Sequence, residues 1–559
     1  MRSTVLSILA VTSLLCLAAP ASAADFYIDP ENGSDDGDGS ANDPWASLQQ
    51  VWDSGKIESQ HWASLPYEDG AQLEVSNDGA PVQPGDTIYL RDGFHGSFEV
   101  RGAYNESPIT ITAAPGHEPH LSRIQLQSAS NWVIRELHIS PSYAPEYQKR
   151  TMIDASGHGY HGPAHDIVIE GNRLFSVEDT SGWSAQAWVE RAASGINTGG
   201  ADITVRDNEL LNVQFGISAS GERAMVDGNT IENFSGDGLR GLGDNSTFQY
   251  NTVKNCYDVD ENHDDGFQSW SNGPDGVGSG EVVGMTLRGN VIINYEDPEQ
   301  PHRGTLQGIG CFDGMFVDWT IENNVIITDH WHGITLLGAR NATVVNNTMI
   351  DPNDTDPGPP WIKLDPHKDG TQSSDLLIRN NLVTRIATDT DQPNVTIDHN
   401  LEISDYTAHF VAPDAYDLHL LETSAAIDAG IADGAPDADI DGVSRPQGDG
   451  VDLGAYEWTD EPLPSEDAGG STDAGAEEDA GPAEDAGGED ASPSDDAGAG
   501  DDTSSSDNDT SDDDTSDPST DEGCSCRHSG DRVPTSLLLL GAAGCFMIWR
   551  RRRVFEGPE

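Results

Sequence analysis

The chain has 559 residues and carries 97 Asp and Glu against 28 Lys and Arg, a formal net charge of −69. Long-range repulsion from so acidic a body disfavours nucleic acid and anionic membrane as partners, while salty water would screen it. Glycine is abundant at 60 residues and aromatics make up 7%, which suits short strands and tight corners better than one large compact core.

Met1 to Ala23 reads as a secretory signal. Arg2 precedes an apolar run through Leu17, and Ala21-Ser22-Ala23 supplies a small-residue cleavage site, with processing after Ala23. Residues 24–130 are then expected to form an N-terminal cap and the first coils. Asp25 to Gln50, with an acidic Gly-rich loop and Pro44-Trp45, resembles the opening of secreted right-handed parallel β-helix proteins, where a strand leads to a short capping helix.

Between Glu170 and Asp405 one phrase recurs nine times: an Asn, then an apolar pair and a polar turn. The copies centre on Asn172, Asn208, Asn229, Asn251, Asn290, Asn324, Asn347, Asn381 and Asn400. So short a unit cannot bury its own apolar face, but stacked copies can, with each strand pairing to its equivalent one coil away. The Asn side chains would then form a hydrogen-bonded ladder at the bend. The predicted fold is all-β, a right-handed parallel β-helix (solenoid) with its core over 131–410.

Residues 411–458 are read as a C-terminal cap element; Asp437 to Trp458 resembles the terminal element of the same proteins. Within it Asp437, Asp439 and Asp441, followed by Gly442, imitate the start of a calcium loop, but Gly448 stands where its later acidic ligand belongs. Residues 459–522 hold 24 carboxylates and no Lys or Arg, the composition of a disordered acidic linker. Residues 523–559 join Cys524 and Cys526 to an apolar run and Arg550 to Arg553. This tail resembles the myxobacterial-type C-terminal surface-sorting signal, a short hydrophobic helix behind a Cys motif. The resemblance implies export and sorting machinery as partners, processing near Cys524 and attachment to the outer cell surface. Only Cys256 and Cys311 lie in the body, where buried free thiols are expected.

A second strand follows each Asn phrase. Period-two alternation sends Ile217, Leu239, Phe267, Leu306, Ile334 and Ile362 inward. Ser218, Arg240, Gln268, Gln307, Thr335 and Lys363 then form an outward polar column, one wall of a groove. Just upstream, Asp237 and Asp265 align one coil apart. His263, His302 and His330 are expected in three successive coils, with Asp264 and Arg303 beside them and His332 in the Asp265 column. Stacked imidazoles repel when charged, so at least one should titrate low, as a base does. The bland alternative is a polar sheet face with His–Asp turn contacts.

Two chemistries fit these residues. A lyase needs a base for the proton α to a uronate carboxyl group, here His263 or His330, and a cation on that carboxylate, here Arg240 or Arg303. A glycoside hydrolase would use Asp237 and Asp265 as acid and partner. The series Asp237-Gly238, His263-Asp264-Asp265-Gly266, His332-Gly333-Ile334 and Ile362-Lys363 is similar in order to polygalacturonase motifs. That resemblance implies Asp237, Asp264 and Asp265 as the carboxylates, His332 as helper and Lys363 as substrate clamp. It departs from the family in the 67 residues between Asp265 and His332 and in Trp361, where the family has Arg. Asp365-Pro366-His367 resembles the core of mannuronan epimerases without its tyrosine-containing surroundings. Together the matches resemble the pectin-lyase-like superfamily without selecting a member.

The sequence thus points to a monomeric, surface-tethered β-helix enzyme acting on a polysaccharide, with Gln268, Trp270, His302, Gln307 and Lys363 as substrate contacts. Trp331 and Trp361 lie near the same groove. Lyase action on a uronate-containing glycan leads because the patch combines His with Arg. Hydrolysis through Asp237 and Asp265, and a non-catalytic glycan-binding adhesin, are the alternatives. No cofactor is required, and calcium, as a bridge between acidic protein and acidic glycan, is the one candidate.

Overall fold

The computed structural model describes residues 23–353 and 355–460. The signal segment before Ala23, the linker beyond Asp460, Cys524 and the tail helix lie outside the described residues. By contacts in space the described residues all fall in one compact unit, Met1–Ser471.

The chain winds as a right-handed parallel β-helix whose coils feed three parallel ladders. One ladder runs from Ile153–Ser156 through Ile196–Gly199, Ile217–Ala219, Leu239–Gly241, Asp264–Trp270, Leu306–Asp313 and His332–Leu337 to Trp361–Asp365. A second includes Thr204–Arg206, Met225–Asp227, Thr247–Gln249, Thr286–Arg288 and Thr320–Glu322. The third includes Glu209–Val213, Thr230–Phe234, Thr252–Cys256, Val291–Ile293 and Val325–Ile327. At the N-terminal end the strand Asp25–Ile28 is followed by the helix Leu48–Asp53, which Ser47 caps by accepting from the Gln50 N–H.

The bend between the second and third ladders explains the repeat. The residue before each of the nine asparagines is left-handed, with φ between 51° and 65°. Gly, Asp or Asn fills seven of these corners, and Tyr250 and His399 the other two. Each following Asn donates from Nδ2 to Oδ1 of the Asn one coil on, at 2.9 or 3.0 Å, unbroken from Asn172 to Asn400. Its backbone N–H donates to the same oxygen. The ladder expected from the repeats is therefore complete, and it satisfies polar groups that the solenoid wall would otherwise bury unpaired.

The third ladder changes character midway. Ile292, Ile326 and Met349 point into the main core. Their neighbours Ile293, Val325, Ile327 and Ile350 face outward yet are also buried, under Phe410, Leu418, Leu420, Leu453 and Ala455. The C-terminal segment thus lies along the flank of these coils. Asn346 donates to the Asp452 carbonyl at 3.0 Å, and the Ala455 N–H donates to Thr348 Oγ1 at 2.8 Å. The buried ion pair Arg445–Glu457, at 2.8 Å, braces the segment internally. In the acidic loop, Asp439 accepts backbone N–H groups from Asp441, Val443 and Glu457. Asp441 contacts His419 Nε2 at 2.8 Å, and the Asp437 carbonyl accepts from the Arg445 N–H. Cys256 and Cys311 are buried and unbridged.

Candidate functional site

Six consecutive coils enter the first ladder through the same tetrad: Ser194-Gly195-Ile196-Asn197, Phe215-Gly216-Ile217-Ser218, Asp237-Gly238-Leu239-Arg240, Asp265-Gly266-Phe267-Gln268, Gln307-Gly308-Ile309-Gly310 and His332-Gly333-Ile334-Thr335. Space requires the glycines. A Cβ at Gly216 would run into the Gly238 carbonyl and Ile231, and one at Gly308 into the Gly333 carbonyl and Ile326. The apolar residue after each Gly enters the core. The residues before and two after it turn away from the core and, in several coils, meet. Arg240 Nε donates to Asp237 Oδ2 at 2.5 Å, Gln268 Nε2 to Asp265 Oδ2 at 3.0 Å, and His332 Nδ1 lies 3.0 Å from Thr335 Oγ1.

This stack corrects the expected register in one coil. Ile309, not Leu306, lies opposite Phe267; Gly310 lies opposite Gln268; and Gln307 lies opposite Asp265. Leu306 sits three residues earlier, across from Asp264. The physical reason is Gly308: only a glycine fits the column, so it fixes which residues follow.

The stack assembles a continuous polar network. Asp237 and Asp265 have side chains with no exposed surface. Asp237 Oδ1 accepts the Asp265 backbone N–H at 3.1 Å. Asp265 Oδ2 lies 2.9 Å from His263 Nδ1, and the His263 side chain is 57% exposed. Asp265 Oδ1 and Gln307 Oε1 are both buried without a hydrogen-bond partner, and both border the space where Gly310 has no side chain. A proton on Oδ1, or a turned Gln307 amide, would satisfy both.

Burial, reinforced by Asp237 and opposed by the His263 hydrogen bond, holds Asp265 up at about 7. Burial also raises Asp237, against the pull of Arg240. The hydrogen bond to Asp265 raises His263 above an ordinary histidine, against its partial burial. His332 is pushed down to about 4 by burial, with His330, Lys363 and His263 adding repulsion. Burial lowers His330 too, and His263 adds to it. One imidazole therefore favours its proton while two neighbours stay neutral.

Three imidazoles do gather, but the third is His332. His330 and His332 have ring centroids 5.1 Å apart, and Phe312 lies 4.8 Å from His332 and 6.5 Å from His263. His302 is not among them. It occupies a left-handed loop position, φ 57°, with Nε2 3.4 Å from the Trp183 carbonyl. Arg303 also leaves the patch, donating to the Pro298 carbonyl at 2.9 Å and lying over Tyr295. Both precede the ladder strand, in a loop whose path the strand periodicity did not set. Asp264 turns from the groove as well: Cys256 Sγ lies 3.3 Å from its Oδ2, and burial and Asp237 push it well above the usual carboxylate range.

Along the strip, Arg240 lies 3.8 Å from the Phe215 ring centroid and 5.6 Å from that of Trp270. Its column continues through Gln268, Gly310 and Thr335 to Lys363, whose Nζ is 2.7 Å from Asp365 Oδ2. Phe312 and Gly310 were missed by sequence reasoning; aligning the coils on glycine would have found Gly310. Among the described residues no group of three or more His, Cys, Asp or Glu is placed to hold a metal ion.

Fold and site together define a right-handed parallel β-helix bearing a polar, aromatic-lined strip on one ladder. Residues 191–356 match the family model described as a right handed beta helix region. Among solved structures the chain is similar to pectate lyase Pel9A, at 16% identity, covering 78% of this chain and 97% of that one with a TM-score of 0.39. It is also similar to XylC in complex with xylose, at 9% identity over 77% and 98% with a TM-score of 0.44. A third is the GH136 lacto-N-biosidase from Eubacterium ramulus, at 15% identity over 67% and 68% with a TM-score of 0.36. No curated protein matches the chain.

Proposed function

We propose that this is a secreted, surface-attached enzyme that cleaves a uronate-containing polysaccharide by β-elimination, with His263 as base. One observation carries the reading: the exposed His263 rests on a carboxylate with no exposed surface, Asp265, at 2.9 Å. A buried carboxylate on Nδ1 fixes the ring and its tautomer and leaves Nε2 for the substrate.

In the reaction Nε2 takes the proton α to the uronate carboxyl group. The C–H electron pair forms the new carbon–carbon double bond, and the glycosidic C–O bond to the β carbon breaks. The leaving oxygen takes a proton from the imidazolium just formed or from water. Arg240 uses Nε on Asp237, so its terminal amino groups are the donors for the uronate carboxylate.

Hydrolysis is the second reading, favoured by Asp265 keeping its proton up to about 7, as a general acid would. Against it, neither carboxylate side chain reaches the surface. Incubation with a panel of uronate and neutral glycans separates the two. Elimination gives an ultraviolet-absorbing unsaturated sugar, whereas hydrolysis gives reducing ends without that absorbance.

A further inference from the structure

Four coils beyond Arg240 the strip ends in a second concentration of aromatic and basic groups. Trp331 is 46% exposed, and its ring lies 6.0 Å from Trp361, 14° from parallel. Two cations flank the inner ring: Lys363 Nζ and the Arg385 guanidinium each lie 5.5 Å from the Trp361 centroid. Arg385 is exposed and forms no ion pair among the described residues. Among the described arginines only Arg101, Arg191 and Arg303 share that lack, although residues 24–458 hold 70 carboxylates against 21 Lys and Arg. An arginine on such a body normally finds a carboxylate, as Arg173, Arg206, Arg223 and Arg379 do.

An exposed indole face offers a sugar ring a flat apolar surface, and an unpaired guanidinium beside it offers a carboxylate two donors. We propose that Trp331, Trp361, Lys363 and Arg385 form a distal subsite that holds an acidic sugar of the same glycan whose cleaved bond lies at His263. The inference rests on the uronate reading above. Three coils separate the His263 coil from that of Trp361 and Lys363, roughly 14 Å, so about three sugars of an extended chain lie between the two points. The enzyme therefore recognises an internal stretch of an acidic chain, and short fragments leave the distal subsite empty.

Calorimetric titration of the full chain carrying His263→Ala, with hexagalacturonate, hexamannuronate and neutral cellohexaose, tests this. The parent is expected to bind at least one hexauronate. Adding Trp331→Ala should weaken that binding about tenfold through lost stacking. Adding Arg385→Gln should weaken it roughly two- to fivefold and leave any cellohexaose affinity unchanged. No hexauronate binding by the parent, or parent affinity in either added variant, overturns the proposal. Binding is read without turnover, so the two ideas fail separately. Elimination persisting in His263→Ala would remove the base, whereas unaltered binding would remove the subsite.

Discussion

His263 Nδ1 lies 2.9 Å from Asp265 Oδ2, joining a half-exposed imidazole to a carboxylate that solvent does not reach. The pair sets a pH dependence with a definite sign. A base must be unprotonated, and the Asp265 hydrogen bond raises His263 above the ordinary histidine value. Turnover should therefore be low in acid and climb through neutral pH to an alkaline plateau. Asp265→Asn should lower the plateau on the order of 10²- to 10⁴-fold and move the inflection to lower pH, read from kcat/KM across pH. An unmoved inflection would mean that His263 titrates independently of Asp265.

Gly310 is the floor of this arrangement, because a Cβ there would collide with Asp265 Oδ1. Gly310→Ala should displace the carboxylate and cost about a hundredfold in kcat, while the thermal midpoint stays near wild type. Full activity would show that Asp265 does not need its present position.

Winding and bend were legible in the sequence because Asn172 to Asn400 recur in a fixed phrase, and each must satisfy the same buried corner. The register of the groove was less legible. Leu306 and Ile309 both enter the core, and only the demand for glycine at position 308 sets Ile309 rather than Leu306 opposite Phe267. His302 and Arg303 were misplaced for a related reason: they precede the strand, where periodicity carries no information. The flank covered by Leu418 and Leu453 did leave a sign. Val291-Ile292-Ile293 and Val325-Ile326-Ile327 are apolar at every position, as strands buried on both faces are.

The ladder should be measurable one rung at a time. Asn251 donates to the Val226 carbonyl and to Asn290, and accepts twice from Asn229. Asn251→Ala leaves buried partners unpaired and should destabilise the body by about 1–3 kcal/mol for each such group, seen as a lower urea midpoint. An unchanged midpoint would make the ladder incidental.

Arg445 and Glu457 have side chains 1% and 0% exposed. Arg445→Met strands a buried carboxylate and should cost about 3–5 kcal/mol, loosening the segment that covers Ile327 and Ile350. Pairing it with Glu457→Leu should recover part of that loss in the same urea titration. Equal destabilisation by the single and double variants would locate the effect elsewhere.

The most direct test of the catalytic account is ultraviolet absorbance during incubation with uronate glycans, comparing wild type with His263→Ala. The account predicts an absorbing unsaturated product from wild type and none from the folded variant. Reducing ends without absorbance, or an undiminished rate in His263→Ala, would contradict it.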